Sequence, residues 1–322
     1  MDTRQTGRNS ATPSDGTPAE PLVTPDLPPG TVIAFNKRFQ IVGPLGEGGM
    51  GKVFKAFDPL MNRYVALKVM KADVLETEQR RFRLEARLGG GFSHPNLVRV
   101  LDVGTTREHG LFWFAMEFLE GRDIRDALEG GRTVPMHVLC EIFRGVLDAL
   151  HYIHARGVVH RDVKPANIFV TRDPFDPDLR LVKLLDLGVA RDLSDGRGDD
   201  PTLILGDPRY MAPEQTRPAG PIDHRADLYA LGMTFFEATT GHHPFEDAFD
   251  DHPRVLFRCH RERPPAMPSS YLPSDTPEEL ADAIDGFFQA SCGKDPSERF
   301  DDAKVMRRAL GEMMRFADRR RV

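Results

Sequence analysis

The stretch His160-Arg161-Asp162-Val163-Lys164-Pro165-Ala166-Asn167 puts a base, a cation and an amide within eight residues. These are the groups that move protons and neutralise anions, and a solvated loop seldom concentrates them by chance. A second cluster, Gly46-Glu47-Gly48-Gly49-Met50-Gly51, fits G-x-G-x-x-G, a pattern with several owners. A dinucleotide-binding fold needs a helix directly after it, but residues 52–57, Lys-Val-Phe-Lys-Ala-Phe, read as a strand. A P-loop needs Ser or Thr after Gly51-Lys52, where Val53 stands. The glycines therefore sit in a hairpin, whose amides can drape over phosphates without side chains intervening; a plain turn satisfies the same pattern.

Three further points of chemistry lie along the chain. Lys68 ends Val65-Ala66-Leu67-Lys68 on a predicted third strand, on one sheet face beneath the glycine loop; alone it would be a solvated surface lysine. Asp186-Leu187-Gly188 follows a short apolar strand over 182–185, and Ala212-Pro213-Glu214 follows a polar stretch.

The elements that must position these groups change character along the chain. Short alternating or β-branched runs at 39–44, 52–57, 63–69, 97–102 and 111–117 predict five strands, interrupted by one helix over 76–88. Beyond Glu117 the pattern is mainly helical. Leu139, Ile142, Phe143, Val146, Leu147, Leu150 and Ile153 form the stripe of a core helix ending near Gly157. Residues 227–240 predict a more uniformly apolar helix, and another is predicted to start at Thr276, with Pro277 in the first helical position and Glu279 closing a capping box. The fold class is α+β: a small strand-rich lobe, a larger helical lobe and a cleft between them.

Composition bounds the rest. The 322 residues suffice for two average domains or one two-lobed one. A net charge of -6 argues against nucleic acid as the main partner. Cys140, Cys259 and Cys292 are far apart and lack metal-ligand spacing, which points to a reducing cytoplasm. No apolar run approaches the roughly 20 residues a membrane helix needs. Residues 1–33, dense in Pro, Thr and Ser, read as a disordered tail, and 317–322 as a short basic end; no sensor region is visible.

The ordered set GEGGMG, VALK, HRDVKPAN, DLG and APE resembles the protein kinase family, in particular the bacterial eukaryotic-type serine/threonine kinases, from about Phe39 to about Arg315. The resemblance implies a two-lobed kinase domain over 34–316, divided near 116/117, with a five-stranded antiparallel small lobe and one main helix. It implies a protein serine/threonine kinase using ATP and Mg2+, with protein substrates including itself; a weakly active or inactive pseudokinase acting as a binding module is the alternative.

Residue by residue, the resemblance implies that Lys68 holds the α- and β-phosphates and pairs with Glu85 on the small-lobe helix. Asp162 would orient and deprotonate the acceptor hydroxyl, Lys164 would neutralise the moving phosphoryl group, and Asn167 and Asp186 would hold magnesium. Leu45 to Val53, namely Leu45, Gly46, Glu47, Gly48, Gly49, Met50, Gly51, Lys52 and Val53, would cover the nucleotide. Glu117 and Leu119 resemble the adenine-binding hinge, with Met116 as gatekeeper, and Val53, Ala66 and Phe169 would sandwich the ring. Glu214 should pair with Arg299, and Asp227 should brace the catalytic loop. Lys164, two residues after Asp162, matches the serine/threonine branch. Arg161 would bind a phosphate on the activation segment, for which Thr202 and Ser194 are the acceptors, with Asp199 and Asp200 as partial substitutes.

Three positions depart from the family pattern. Leu187 replaces a phenylalanine and stays apolar. Gly89 stands one turn after Glu85, where a large apolar residue would pack on Leu187. The expected result is a mobile helix seated by an activating protein partner or a transient homodimer, unless Phe92 or a neighbour fills the gap. Asp207 stands where a threonine hydroxyl would bridge Asp162 and Lys164. Its carboxylate is expected either to compete for Lys164 and repel Asp162, slowing catalysis, or to turn outward.

Overall fold

Alternating side chains build the first sheet. The computed structural model describes residues 34–35, 38–106, 110–172, 180–187, 190–192, 205–217 and 221–318. Strands β1 (Ala34–Phe35), β2 (Phe39–Glu47), β3 (Gly51–Asp58), β4 (Arg63–Met70), β5 (Val100–Thr105) and β6 (Phe112–Glu117) lie in the order β1-β2-β3-β4-β6-β5, all antiparallel. The five expected strands are present, with the two-residue β1 added at the edge.

The period of two along β4 decides what faces the cleft. Val65, Leu67 and Val69 pack with Phe39, Ile41, Phe54 and Trp113 on one side of the sheet. Ala66, Lys68 and Met70 turn to the other, where Met70 joins Phe82, Ala86 and Phe114. Phe82 belongs to helix α1 (Glu76–Gly91), and its ring meets Phe112 edge-on at 5.8 Å and Phe114 at 5.1 Å. The helix thus hangs from the sheet by an aromatic cluster, with Glu85 one turn further along.

The strand expected at 97–102 forms three residues later. Leu97 is buried in the large-lobe core and pairs in parallel with Leu184 instead. The amide of Val98 donates to the Leu184 carbonyl (3.2 Å) and that of Leu184 to the Asn96 carbonyl (2.8 Å). These bonds stitch the two lobes together behind the cleft.

In the large lobe, α2 (Ile124–Leu128), α3 (Met136–His154), α4 (Arg225–Thr240), α5 (Pro253–Glu262), α6 (Glu278–Ser291) and α7 (Ala303–Asp318) surround one core. All seven stripe residues of α3 are buried. α4 is buried almost all round, as its uniformly apolar sequence requires. α6 begins at Glu278, not at Thr276, and the expected capping box is absent: Pro277 keeps an extended ψ of 137° and occupies the N-cap with no side-chain bond. Its carbonyl accepts the first helical bonds from Leu280 and Ala281, both 3.0 Å.

Small strands flank the segment 160–167. β7 (Gly121–Asp123), β9 (Ile168–Arg172) and β10 (Arg180–Leu184) form one sheet, and β8 (Val158–Val159) pairs with β11 (Arg191–Asp192). Residues 160–167 span the gap between β8 and β9, and Asp186 lies two residues past the end of β10. Of the residues singled out from sequence, the tail, Gly188, Ser194, Asp199, Asp200 and Thr202 lie outside the described residues.

Candidate active site

The glycine cluster is a hairpin, as the strand after it requires. β2 and β3 flank it, and the Gly48 amide closes the turn on the Gly51 carbonyl at 2.9 Å. Gly51 has no room for a side chain: a Cβ would sit 2.6 Å from the Val69 carbonyl oxygen and 3.0 Å from the Phe82 ring. Glu47 is held by Lys71 at 2.7 Å, with Lys52 at 3.8 Å.

Below the hairpin, Lys68 Nζ donates to both carboxylate oxygens of Glu85, at 2.7 and 2.8 Å. Asp186 Oδ1 lies 3.8 Å from the same nitrogen. Burial opposes the charge on Lys68, but Glu85 and Asp186 outweigh it and hold the ammonium above the ordinary lysine value. Burial also pushes the Glu85 carboxyl up to about 7; Lys68 opposes that rise and the Asp186 carboxylate adds to it.

Across the cleft, Asp162 is nearly buried and its carboxylate accepts three bonds. Oδ2 takes Lys164 Nζ at 2.8 Å and Asn167 Nδ2 at 3.0 Å, and Oδ1 takes the backbone N–H of Asp207 at 3.0 Å. Burial raises the Asp162 pKa above the usual aspartate value, with the charge and hydrogen bond of Lys164 pulling it back.

A deeper layer fixes this loop. Asp227 is fully buried and accepts the amides of His160 (2.9 Å) and Arg161 (2.7 Å) and His154 Nε2 (2.7 Å). Burial would raise the Asp227 pKa, but His154, by hydrogen bond and charge, holds it below the usual range. His160 donates from Nε2 to the Leu185 carbonyl (3.0 Å) and accepts at Nδ1 from the Asp162 amide (3.3 Å), tying the 160–167 loop to the segment that carries Asp186. Arg161 and Asp186 adopt left-handed φ values of 67° and 57°, unusual outside glycine and concentrated at functional sites. The Glu214 carboxylate and the Arg299 guanidinium pair twice, at 2.7 and 2.8 Å, in the arrangement expected from sequence.

Register places the residues expected around adenine. Val53 stands opposite Lys68, and Ala66 opposite Met116, at the end of β6. Glu117 commits its carboxylate elsewhere, accepting Lys183 Nζ (2.7 Å) and the Arg99 amide (2.9 Å), so it offers the cleft only backbone. Phe169 on β9 packs against Gly121, where an added Cβ would meet its ring at 2.9 Å. Leu45 is half exposed, at 49%. Leu119 lies just past the end of β6.

Of the departures, Gly89 resolves to the second of its two alternatives, a neighbour in the gap, and Asp207 finds a partner that neither of its alternatives named. The gap at Gly89 does not exist: Val100 Cγ2 stands 2.5 Å from where a Cβ would be, so β5 fills the space and the glycine permits it. Asp207 turns to Arg209. Its Oδ1 accepts Arg209 Nε (3.0 Å) and the Arg209 amide (3.1 Å), its Oδ2 accepts Nη2 (2.7 Å), and Lys164 Nζ stays 3.9 Å away. Arg209, Lys183, His154 and Gln215, whose Nε2 donates to the Arg161 carbonyl at 3.0 Å, were not foreseen. Only Arg209, two residues from a carboxylate in a turn, carried a local signal.

A model of the protein kinase domain matches residues 39–310. The chain belongs to the protein kinase family. It is 34% identical over 288 residues to the serine/threonine-protein kinase pkn3 of Myxococcus xanthus, covering 87% of this chain and 50% of that one. It is 38% identical over 283 residues to the serine/threonine-protein kinase PknF of Mycobacterium tuberculosis, covering 86% and 56%. The chain thus spans about half the length of the curated relatives it matches. The crystal structure of the PknI kinase domain of M. tuberculosis superposes with a TM-score of 0.64 at 26% identity, over 88% of this chain and 98% of that one.

The kinase family uses ATP and Mg2+, and the donors here fit that ion. Asn167 turns its Nδ2 to Asp162, leaving its amide oxygen unused by that bond, and the Asp186 carboxylate is partly exposed. Two oxygen donors suit a hard cation that is otherwise held by water and substrate phosphates. Among the described residues no group of three or more His, Cys, Asp or Glu forms a metal cage.

Proposed function

We propose that this chain is a protein serine/threonine kinase that transfers the γ-phosphoryl group of ATP to serine and threonine hydroxyls of protein substrates, itself included. One observation carries the reading: the nearly buried Asp162 carboxylate is oriented by Lys164, Asn167 and the Asp207 amide, in the same molecule that has Lys68 paired with Glu85. The set of charged residues that the chemistry needs is intact and hydrogen-bonded, which favours an active enzyme over a pseudokinase.

In this reading Lys68, steadied by Glu85, binds the α- and β-phosphates beneath the glycine hairpin. Asn167 and Asp186 would hold magnesium, which would offset the negative charge of the phosphates. Asp162 aligns the acceptor hydroxyl and takes its proton as the oxygen attacks the γ-phosphorus; the bond to the β-γ bridging oxygen breaks and ADP leaves. Lys164, 2.8 Å from Asp162, neutralises charge on the moving group. Backbone groups at Glu117 and Leu119 bind adenine between Val53, Ala66 and Phe169. The kinase domain is assigned to residues 34–316, with the lobes divided near 117.

Protein rather than small-molecule acceptors follow from the Ala212-Pro213-Glu214 segment, locked to Arg299 as a platform beside the catalytic loop. Among the described residues no helix is long and apolar enough to cross a membrane, and all three cysteines are free and buried, which supports a reducing cytoplasm. The test is incubation of the purified chain with γ-labelled ATP, magnesium and a generic basic protein, followed by phosphoamino-acid analysis. Label on serine and threonine is expected; label on tyrosine alone, or none with nucleotide bound, would reject this reading.

A further inference from the structure

Asp207 presents its two ends to the catalytic centre in opposite senses. Its amide donates to Asp162 Oδ1 at 3.0 Å and so helps hold the base. Its carboxylate, 15% exposed, is a rival for Lys164, whose Nζ lies 2.8 Å from Asp162 Oδ2 and 3.9 Å from Asp207 Oδ2. A shift of about 1 Å would place Lys164 between two carboxylates, drawing it from the phosphoryl group.

Arg209 occupies that carboxylate. Its backbone N–H and Nε reach Oδ1 and its Nη2 reaches Oδ2, a forked grip that uses the planar guanidinium as lysine could not. The guanidinium is itself placed: its carbon lies 5.5 Å from the centre of the Tyr210 ring and 5.9 Å from that of Phe249. The Arg209 carbonyl accepts His243 Nε2 at 2.8 Å, from a buried imidazole that burial keeps neutral, with its pKa pushed down to about 4. Burial would raise the Asp207 pKa, but the bonds and charge of Arg209 hold it below the usual carboxylate range.

We propose that Arg209 is a positioning residue for phosphoryl transfer, which holds the Asp207 carboxylate away from Lys164 and thereby leaves Lys164 to Asp162 and the moving phosphoryl group. The proposal rests on the roles given above to Asp162 and Lys164. It assigns Arg209 no contact with either substrate; its effect passes through Asp207. The charged and titratable groups around the pair are Lys164 and Asp162 from the catalytic loop, Tyr210 from its own segment, Glu237 from α4, and His243 and His260 from beyond α4.

The experiment is kcat against pH for one peptide at saturating Mg-ATP, in wild type, Arg209→Gln, Arg209→Lys, Asp207→Asn and the double variant Asp207→Asn/Arg209→Gln. Arg209→Gln should lower kcat about 10-fold, the scale of coupling within one charge network, and move the acidic limb to higher pH. The KM for ATP should be unchanged. Arg209→Lys, which keeps charge but loses the fork, should fall between. The double variant should recover to the level of Asp207→Asn, because no carboxylate remains to be controlled. If Arg209→Gln matches wild type at every pH, or the double variant is as slow as Arg209→Gln alone, the proposal is wrong. An Asp162→Asn control separates the two levels: if it transfers phosphate at the wild-type rate, the catalytic reading fails whatever the Arg209 variants do.

Discussion

Val100 Cγ2 occupies the space that a side chain on Gly89 would need, 2.5 Å from the position of its Cβ. This contact seats the helix that carries Glu85 against β5, so the helix is closed onto its sheet by a neighbour's side chain instead of by its own. Gly90, one residue on, faces open space and is exposed.

The two glycines should therefore respond oppositely to alanine. Gly89→Ala should destabilise the protein by about 1–3 kcal/mol, the cost of overpacking, and raise the KM for ATP as Glu85 is displaced from Lys68. Gly90→Ala should stabilise it by about 0.5–1 kcal/mol through helix propensity alone. Urea denaturation of both variants checks the pair of signs; equal effects would mean that α1 does not rest on Val100.

The pH dependence follows from two raised carboxyl groups. In the proposed mechanism Glu85 must be ionised to hold Lys68, and Asp162 must be ionised to take a proton, yet burial pushes Glu85 to about 7 and Asp162 above its usual value. Activity should then be lost as pH falls through these raised values, and kcat/KM for ATP should show an acidic limb between the ordinary carboxylate range and about 7. A limb at the ordinary aspartate value, about 3.9, would contradict the environments described.

The pair of Glu214 with Arg299 is an anchor, not a catalyst. The Arg299 side chain is fully buried and also bonds the carbonyls of Gly293 (2.8 Å) and Arg225 (3.1 Å). Arg299→Met should cost about 3 kcal/mol, because it leaves the largely buried Glu214 carboxylate unpaired. Thermal unfolding should reveal the loss even in the absence of nucleotide. An unchanged midpoint would show that the platform is held by other means.

Much of this molecule was legible in its sequence, and the reasons are local. Short motifs with backbone roles, such as the glycine hairpin and 160–167, announce themselves because their chemistry needs fixed spacing. The α3 stripe repeats at helical steps, so Leu139 and Ile153 could be assigned to one face without knowing what they touch. What could not be read were choices made between distant segments. Whether Val100 or Phe92 meets Gly89 depends on how a strand and a helix approach. The Glu117 carboxylate meets Lys183 across 66 positions, and His154 meets Asp227 across 73. The β5 strand starts three residues later because Leu97 is taken up by the large-lobe core, where it pairs with Leu184, a long-range contact that no local pattern encodes. Asp207 was expected to face Lys164 or solvent, and faced Arg209, a third option available only once the turn was formed.

In the proposed mechanism this chain transfers phosphate with Asp162 as its base and Lys68 as its nucleotide anchor. Single-turnover transfer of labelled γ-phosphate to a protein acceptor, measured for wild type, Asp162→Asn and Lys68→Met alongside thermal unfolding of each, tests it most directly. Wild type should transfer, and Asp162→Asn should be slower by about 10²- to 10⁴-fold while remaining folded. Lys68→Met should likewise fail to transfer. Transfer by Asp162→Asn at the wild-type rate, or none by folded wild type with Mg-ATP bound, would contradict the account.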